Sequence, residues 1–99
     1  MEATVTQVDG TSIISVPDNL DVLTSTGFKN TLTEVISEAE KTELDFSKTE
    51  LVSSAGLRVL LQAEKTVQKA EKSMTFKNVS PEVMEIFEMT GVSKIFTIV

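Results

Sequence analysis

Ser53 and Ser54 stand between an apolar pair, Leu51-Val52, and the run Ala55-Gly56-Leu57-Arg58-Val59-Leu60-Leu61. The pair reads as strand and the run as helix, so both hydroxyls fall on a strand-to-helix turn. Such a turn brings its side chains to the rim of a sheet. The new helix also directs unpaired backbone N–H groups at that spot, where negative charge is tolerated. A serine there can cap the helix, act as a nucleophile or accept a phosphate. A nucleophile elbow needs glycine two residues before the serine, and for Ser54 that residue is Val52. The chain has no histidine, so a Ser-His-Asp arrangement is excluded and a carboxylate would have to serve as base.

Other candidate groups are less pointed. Arg58 lies one helical turn after Ser54 and could pair with a phosphate there, or simply face solvent. Glu34 with Glu38, and Glu82 with Glu85 and Glu88, are spaced for one helical face, where they bind a hard cation or are merely exposed. Asp21, ahead of the first helix, has the ordinary reading of a turn or cap residue. Met84 and Met89 read as core or rim filler.

Composition narrows the function classes. The 99 residues suggest one domain, and 40% apolar content suffices for one core. No apolar run reaches about 18 residues, so direct membrane insertion is not expected. The start, Met1-Glu2-Ala3-Thr4, lacks a basic region and an apolar stretch, so it does not read as a signal peptide. Absence of cysteine removes disulfide and thiolate chemistry and fits a cytoplasmic protein. The net charge is −6, with ten Asp and Glu against three Lys in residues 1–50. Such a chain is a poor ligand for nucleic acid. Without histidine or cysteine, no metal site and no cofactor is expected.

The elements that must position the serines follow from pattern. Strands over 3–8 and 11–16 flank Asp9-Gly10, a hairpin signal. Pro17-Asp18-Asn19 ends the second strand. A helix starting near Thr24 or Ser25 carries Phe28, Leu32, Val35, Ile36 and Ala39 on one face and ends near Glu40 or Lys41. Leu44 and Phe46 mark a strand that continues extended to Leu51 and Val52. The helix over 56–72 has a core stripe of Gly56, Leu60, Ala63, Val67 and Ala70. Arg58, Gln62, Lys65, Lys69 and Lys72 make the opposite, solvated stripe, and Leu57 and Leu61 fall between the two. Met74, Phe76 and Val79 mark another strand. Ser80-Pro81 starts a helix with Val83, Ile86, Phe87 and Thr90 inward, and Gly91 stops it. A last strand spans 95–99. The fold class is α/β: a mostly parallel or mixed sheet of about five strands, an N-terminal hairpin and about three helices.

Leu44-Asp45-Phe46-Ser47 and the run from Val52 to Leu61 resemble the STAS domain of bacterial anti-sigma factor antagonists. Leu20-Asp21 resembles the family's Leu-Asp before its first helix. Ser80-Pro81-Glu82-Val83 and the run Ile86-Phe87-Glu88-Met89-Thr90-Gly91 resemble its last helix. The similarity runs from the hairpin to Ile98, so residues 1–99 are expected to form a single STAS domain. Many members carry a further helix after the last strand, whereas this sequence stops at Val99.

The family motif is often Asp-Ser-Ser/Thr-Gly-Leu, and the serine after Asp accepts phosphate. Alignment on Gly56-Leu57 makes Ser54 the acceptor, with Ser53 in place of the usual Asp. The resemblance implies partner switching. The unphosphorylated antagonist sequesters an anti-sigma factor, a serine kinase with a histidine-kinase-like ATPase fold, and so releases a sigma factor. Phosphorylation by that kinase ends binding, and a PP2C-type phosphatase restores it. The implied partner surface around Ser54 comprises Asp21, Ser53, Ala55, Gly56, Leu57, Arg58 and Leu61. The expectation is a binding module rather than an enzyme. The competing readings are an unphosphorylated STAS subunit of a membrane transport complex, and a small hydrolase using Ser54 with a carboxylate base.

Overall fold

The structure, a computed structural model, describes residues 4–99. Ala3, the first residue of the expected hairpin, lies outside the described residues. Strands β1 (Val5–Val8) and β2 (Thr11–Ser15) pair antiparallel in the register Val8↔Thr11 to Val5↔Ile14. Their turn holds Asp9 at φ 49° and Gly10 at φ 80°, the two positive values that a tight hairpin turn demands.

From β2 the chain passes through a two-residue strand β3 (Asn19–Leu20) into helix α1 (Ser25–Glu38). Strand β4 (Lys41–Asp45) and a second two-residue strand, β5 (Leu51–Val52), lead to helix α2 (Ser54–Lys69). Strand β6 (Ser73–Lys77) and helix α3 (Pro81–Met89) follow. The main sheet has the order β1-β2-β4-β6, with β2, β4 and β6 parallel. Strands β3 and β5 form a separate parallel pair, Asn19↔Leu51 and Leu20↔Val52.

Two rows of residues line the inner face of the sheet. Ile14, Leu44 and Phe76 stand side by side, and Ser12, Thr42 and Met74 form the next row. Helix α1 adds Phe28, Leu32 and Ile36, and α2 adds Val59, Leu60, Ala63 and Val67. At the far end the rings of Phe46, Phe76, Phe87 and Phe96 pack together. Phe76 stacks on Phe96 at 4.3 Å, and Phe87 meets Phe46 edge-on at 6.0 Å.

Several expectations are corrected. Residues 95–99 make a single parallel bridge, Phe76↔Ile98, instead of a strand. A 3₁₀ turn over Val92–Lys94 takes the chain out of extended geometry, and Phe96 turns in to stack on Phe76. The α/β class, mixed sheet, N-terminal hairpin and three helices are as expected, with four strands in the main sheet and β3 and β5 set apart as a pair. Helix α2 runs from Ser54 to Lys69, earlier at both ends than the expected 56–72. Ala70, assigned to the core stripe, is exposed, and Val59 is buried in its stead. Lys72, assigned to the solvated stripe, is half-buried. Its ammonium donates to the carbonyls of Ile36 at 2.6 Å and Ser37 at 3.2 Å, where the last turn of α1 leaves acceptors unpaired.

Candidate functional site

The β3–β5 pair brings Leu20-Asp21 against Val52-Ser53. It is held from below by Thr49, whose hydroxyl donates to the Pro17 carbonyl at 2.9 Å, and by the Glu50 N–H on the Asp18 carbonyl at 2.7 Å. The Ser53 N–H donates to the Leu20 carbonyl at 2.9 Å. The first turn of α2 then rides directly over β3. A Cβ on Gly56 would lie 2.5 Å from the Leu20 carbonyl oxygen and 2.9 Å from Leu20 Cγ. Only glycine lets the helix start this close. Gly56 is therefore buried and shapes the surface from beneath.

The two serines divide their work. Ser53 is extended, at φ −86° and ψ 177°, and its Oγ accepts from the Gly56 N–H at 3.5 Å, a long cap bond. Ser54 is the first helical residue. It is exposed, and its hydroxyl has no hydrogen bond among the described residues. The side chain that caps and the side chain left open to solvent are thus different residues.

Around Ser54, Ala55 is half-buried and Arg58 is exposed. Leu57 and Leu61 are half-buried and pack against the core from its edge, each keeping part of its side chain on the surface. Asp21 has a mainly local task. Its Oδ1 accepts from the N–H groups of Leu23 at 2.9 Å and Thr24 at 3.2 Å. The Thr24 hydroxyl donates in turn to the Asn19 carbonyl at 2.7 Å. These bonds pin the turn that leads into α1.

That pinned turn carries a feature absent from the sequence reading. Val22 is 74% exposed and Leu23 is 88% exposed. Neither belongs to the Phe28-Leu32-Ile36 stripe. Two large apolar residues in a row with no place in a helix stripe were the available signal. Val22 lines one wall of a groove of about 290 Å³, with Lys29, Ala55, Arg58 and Gln62 along it. The groove continues between α1 and α2 over Leu32, Ile36 and Ala63.

Asp45, within the Leu44-Asp45-Phe46-Ser47 segment, ends β4. The Asn78 side-chain amide donates to its carboxylate at 2.9 Å and holds the carboxyl below the usual range, against the opposing effect of burial. The Ser47 N–H at 3.0 Å and the Lys48 charge act in the same direction as Asn78. This bond ties the loop after β4 to the loop after β6. Among the described residues no group of three or more His, Cys, Asp or Glu side chains could hold a metal ion. No helix among them is long and apolar enough to cross a membrane.

Comparison with known proteins gives the same fold. The STAS domain family model matches residues 2–99. A protein of Bordetella bronchiseptica named putative anti-sigma factor antagonist BtrV is 28% identical over 99% of this chain and 85% of its own length. An anti-sigma factor antagonist from Mycobacterium paratuberculosis superposes with a TM-score of 0.88 at 24% identity, over 97% of this chain and 82% of that one. The Bacillus cell fate determinant SpoIIAA in its phosphorylated form superposes at 0.75 with 15% identity, over 98% of this chain and 90% of that one.

Proposed function

The chain belongs to the STAS domain family, and from that premise we propose that it is an anti-sigma factor antagonist switched by phosphorylation of Ser54. In the unphosphorylated state it sequesters an anti-sigma factor that is itself a serine kinase, and a sigma factor is released. The kinase transfers phosphate to Ser54, and a PP2C-type phosphatase removes it. The protein performs no chemistry of its own. The observation that carries this reading is the free, exposed hydroxyl of Ser54 beside the cap supplied by Ser53.

A phosphate adds about −1.5 to −2 charges at neutral pH. On the free protein the N-terminus of α2 stabilises that charge, so the fold survives modification. In a contact surface shared with half-buried Leu57 and Leu61, the same charge must lose water or meet an opposing charge. The complex weakens while the free protein does not. The names of the anti-sigma factor antagonist relatives, and the phosphorylated state in which one of them was solved, support this reading.

The test is incubation with the cognate anti-sigma kinase and ATP, intact mass with phosphosite mapping, and affinities of wild type, Ser54→Ala, Ser54→Asp and Ser53→Ala. Ser54→Ala is expected to stay folded, bind the kinase and take no phosphate. Ser54→Asp stays folded and binds more weakly. Ser53→Ala loses cap stability, about 1 kcal/mol, and still accepts phosphate. Phosphate incorporation abolished by Ser53→Ala and retained by Ser54→Ala would move the site by one residue. Equal affinity of phosphorylated and unphosphorylated protein would make a constitutively bound subunit the better account.

A further inference from the structure

The groove beside Ser54 is basic on an acidic chain. The protein is acidic overall, at −6. Yet Lys29 and Arg58 line this groove and no carboxylate does. Among the described residues the one ion pair is Lys77 with Glu43 at 3.2 Å, so neither groove cation has an acidic partner. Val22, Ala55 and Val59 are its apolar lining, with Val22 exposed on a turn already fixed by Asp21 and Thr24. Two unpaired cations beside preorganised apolar side chains form a surface complementary to an acidic residue flanked by apolar ones.

Arg58 also has a second potential partner. Ser54 and Arg58 are four residues apart on α2, so they are neighbours on one face of the helix, at about 5–6 Å between Cβ atoms. A guanidinium reaches carboxylate or phosphate equally well through its forked donors. Phosphate offers more charge and more oxygens than a carboxylate does.

Resting on the partner-switching reading above, we propose that the groove takes a carboxylate of the anti-sigma partner, and that phosphate on Ser54 competes with that carboxylate for Arg58. The modification then acts twice. It adds a charge that the partner repels, and it withdraws a cation that the partner uses. Lys29, on the opposite wall, belongs to the docking but not to the competition.

Two measurements test this. The first needs no partner: a phosphorus NMR pH titration of protein carrying phosphoserine at position 54, with and without Arg58→Ala. Pairing with Arg58 lowers the second ionisation of the phosphate relative to the variant, and identical titrations would overturn the proposal. The second uses the cognate anti-sigma kinase as the probe. Arg58→Ala and Lys29→Ala are each expected to weaken unphosphorylated binding about two- to fivefold. In Arg58→Ala the fold loss caused by phosphorylation shrinks by a similar factor, whereas in Lys29→Ala it does not. Lys69→Ala, on the same helix but outside the groove, leaves both quantities unchanged. An unchanged phosphorylation penalty in Arg58→Ala, or unchanged unphosphorylated affinity, would overturn the competition and leave the Ser54 switch standing. A wild type that loses no affinity on phosphorylation would remove the switch itself.

Discussion

Replacing Gly56 with alanine is expected to destabilise the protein, although alanine is the better helix former. The new Cβ would sit 2.5 Å from the Leu20 carbonyl oxygen and 3.1 Å from Val52 Cγ1, where ordinary contact begins at 3.4 Å. The blocking atom is backbone, and it already accepts the Ser53 N–H at 2.9 Å. Relief therefore requires α2 to lift off β3. Overpacking of this kind costs about 1–3 kcal/mol. Weakening the Ser53–Leu20 bond adds about 1 kcal/mol. Higher helix propensity returns about 1 kcal/mol. The net loss is about 1–3 kcal/mol, or a Tm lower by about 5–20 °C for a domain of this size. Gly27 supplies the internal control. It lies in the first turn of α1, and a Cβ there meets nothing within 4 Å. Gly27→Ala is expected to stabilise by about 0.5–1 kcal/mol. Thermal melts and urea titrations of both variants give the two signs directly, and amide exchange at Ser53 reports whether the β3–β5 pair has opened. If Gly56→Ala is as stable as wild type, or gains as Gly27→Ala does, the close approach of α2 to β3 is not a constraint and the reasoning fails.

Three further outcomes are expected. Asp45 has a lowered carboxyl pKa in the folded state, chiefly through Asn78, so its stabilisation is complete above the ordinary carboxylate value of about 4 and is lost as pH falls through the folded value; Asp45→Asn should flatten the acid-side decline of stability in denaturant titrations, and an unaltered slope would show that the bond contributes nothing. Glu64 is buried, with Oε2 accepting from Gln68 at 3.0 Å and Oε1 without a partner among the described residues; Glu64→Met should gain about 1 kcal/mol in a urea titration, and a comparable loss would contradict this. Leu57→Ala should cost about 1 kcal/mol of stability and a larger amount of affinity for the anti-sigma kinase, because the side chain is divided between core and surface; lost stability with intact affinity would assign it to the core alone.

What the sequence made legible was local. Asp9-Gly10 specifies its hairpin because both residues must take positive φ. Ser80, Pro81 and Gly91 bracket α3 through a hydroxyl cap on the Val83 N–H and a left-handed stop at φ 81°. The parts that escaped depend on distant partners. Strands of two residues have no period, and β3 and β5 exist only because each pairs with the other. Residues 95–99 have the composition of a strand, but burying Phe96 against Phe76 prevails. Lys72 reads as solvated until the end of α1 is placed beneath it.

At the site, the motif located the turn, but backbone geometry distinguished its two hydroxyls. The residue before the proposed acceptor, an aspartate in the family motif, is Ser53 here, and the hydroxyl keeps the capping role that a carboxylate would have had. The exchange also has an electrostatic consequence. A carboxylate at position 53 would stand beside any phosphate on Ser54 and raise the free energy of the modified state. A neutral cap removes that repulsion. On the proposed reading, the N-terminus of α2 and Arg58 would then act on a phosphate at Ser54 without opposition from the adjacent residue. Serine in place of aspartate at this position therefore preserves the turn and, with Ser54 as the proposed acceptor, would favour the phosphorylated form of the free protein.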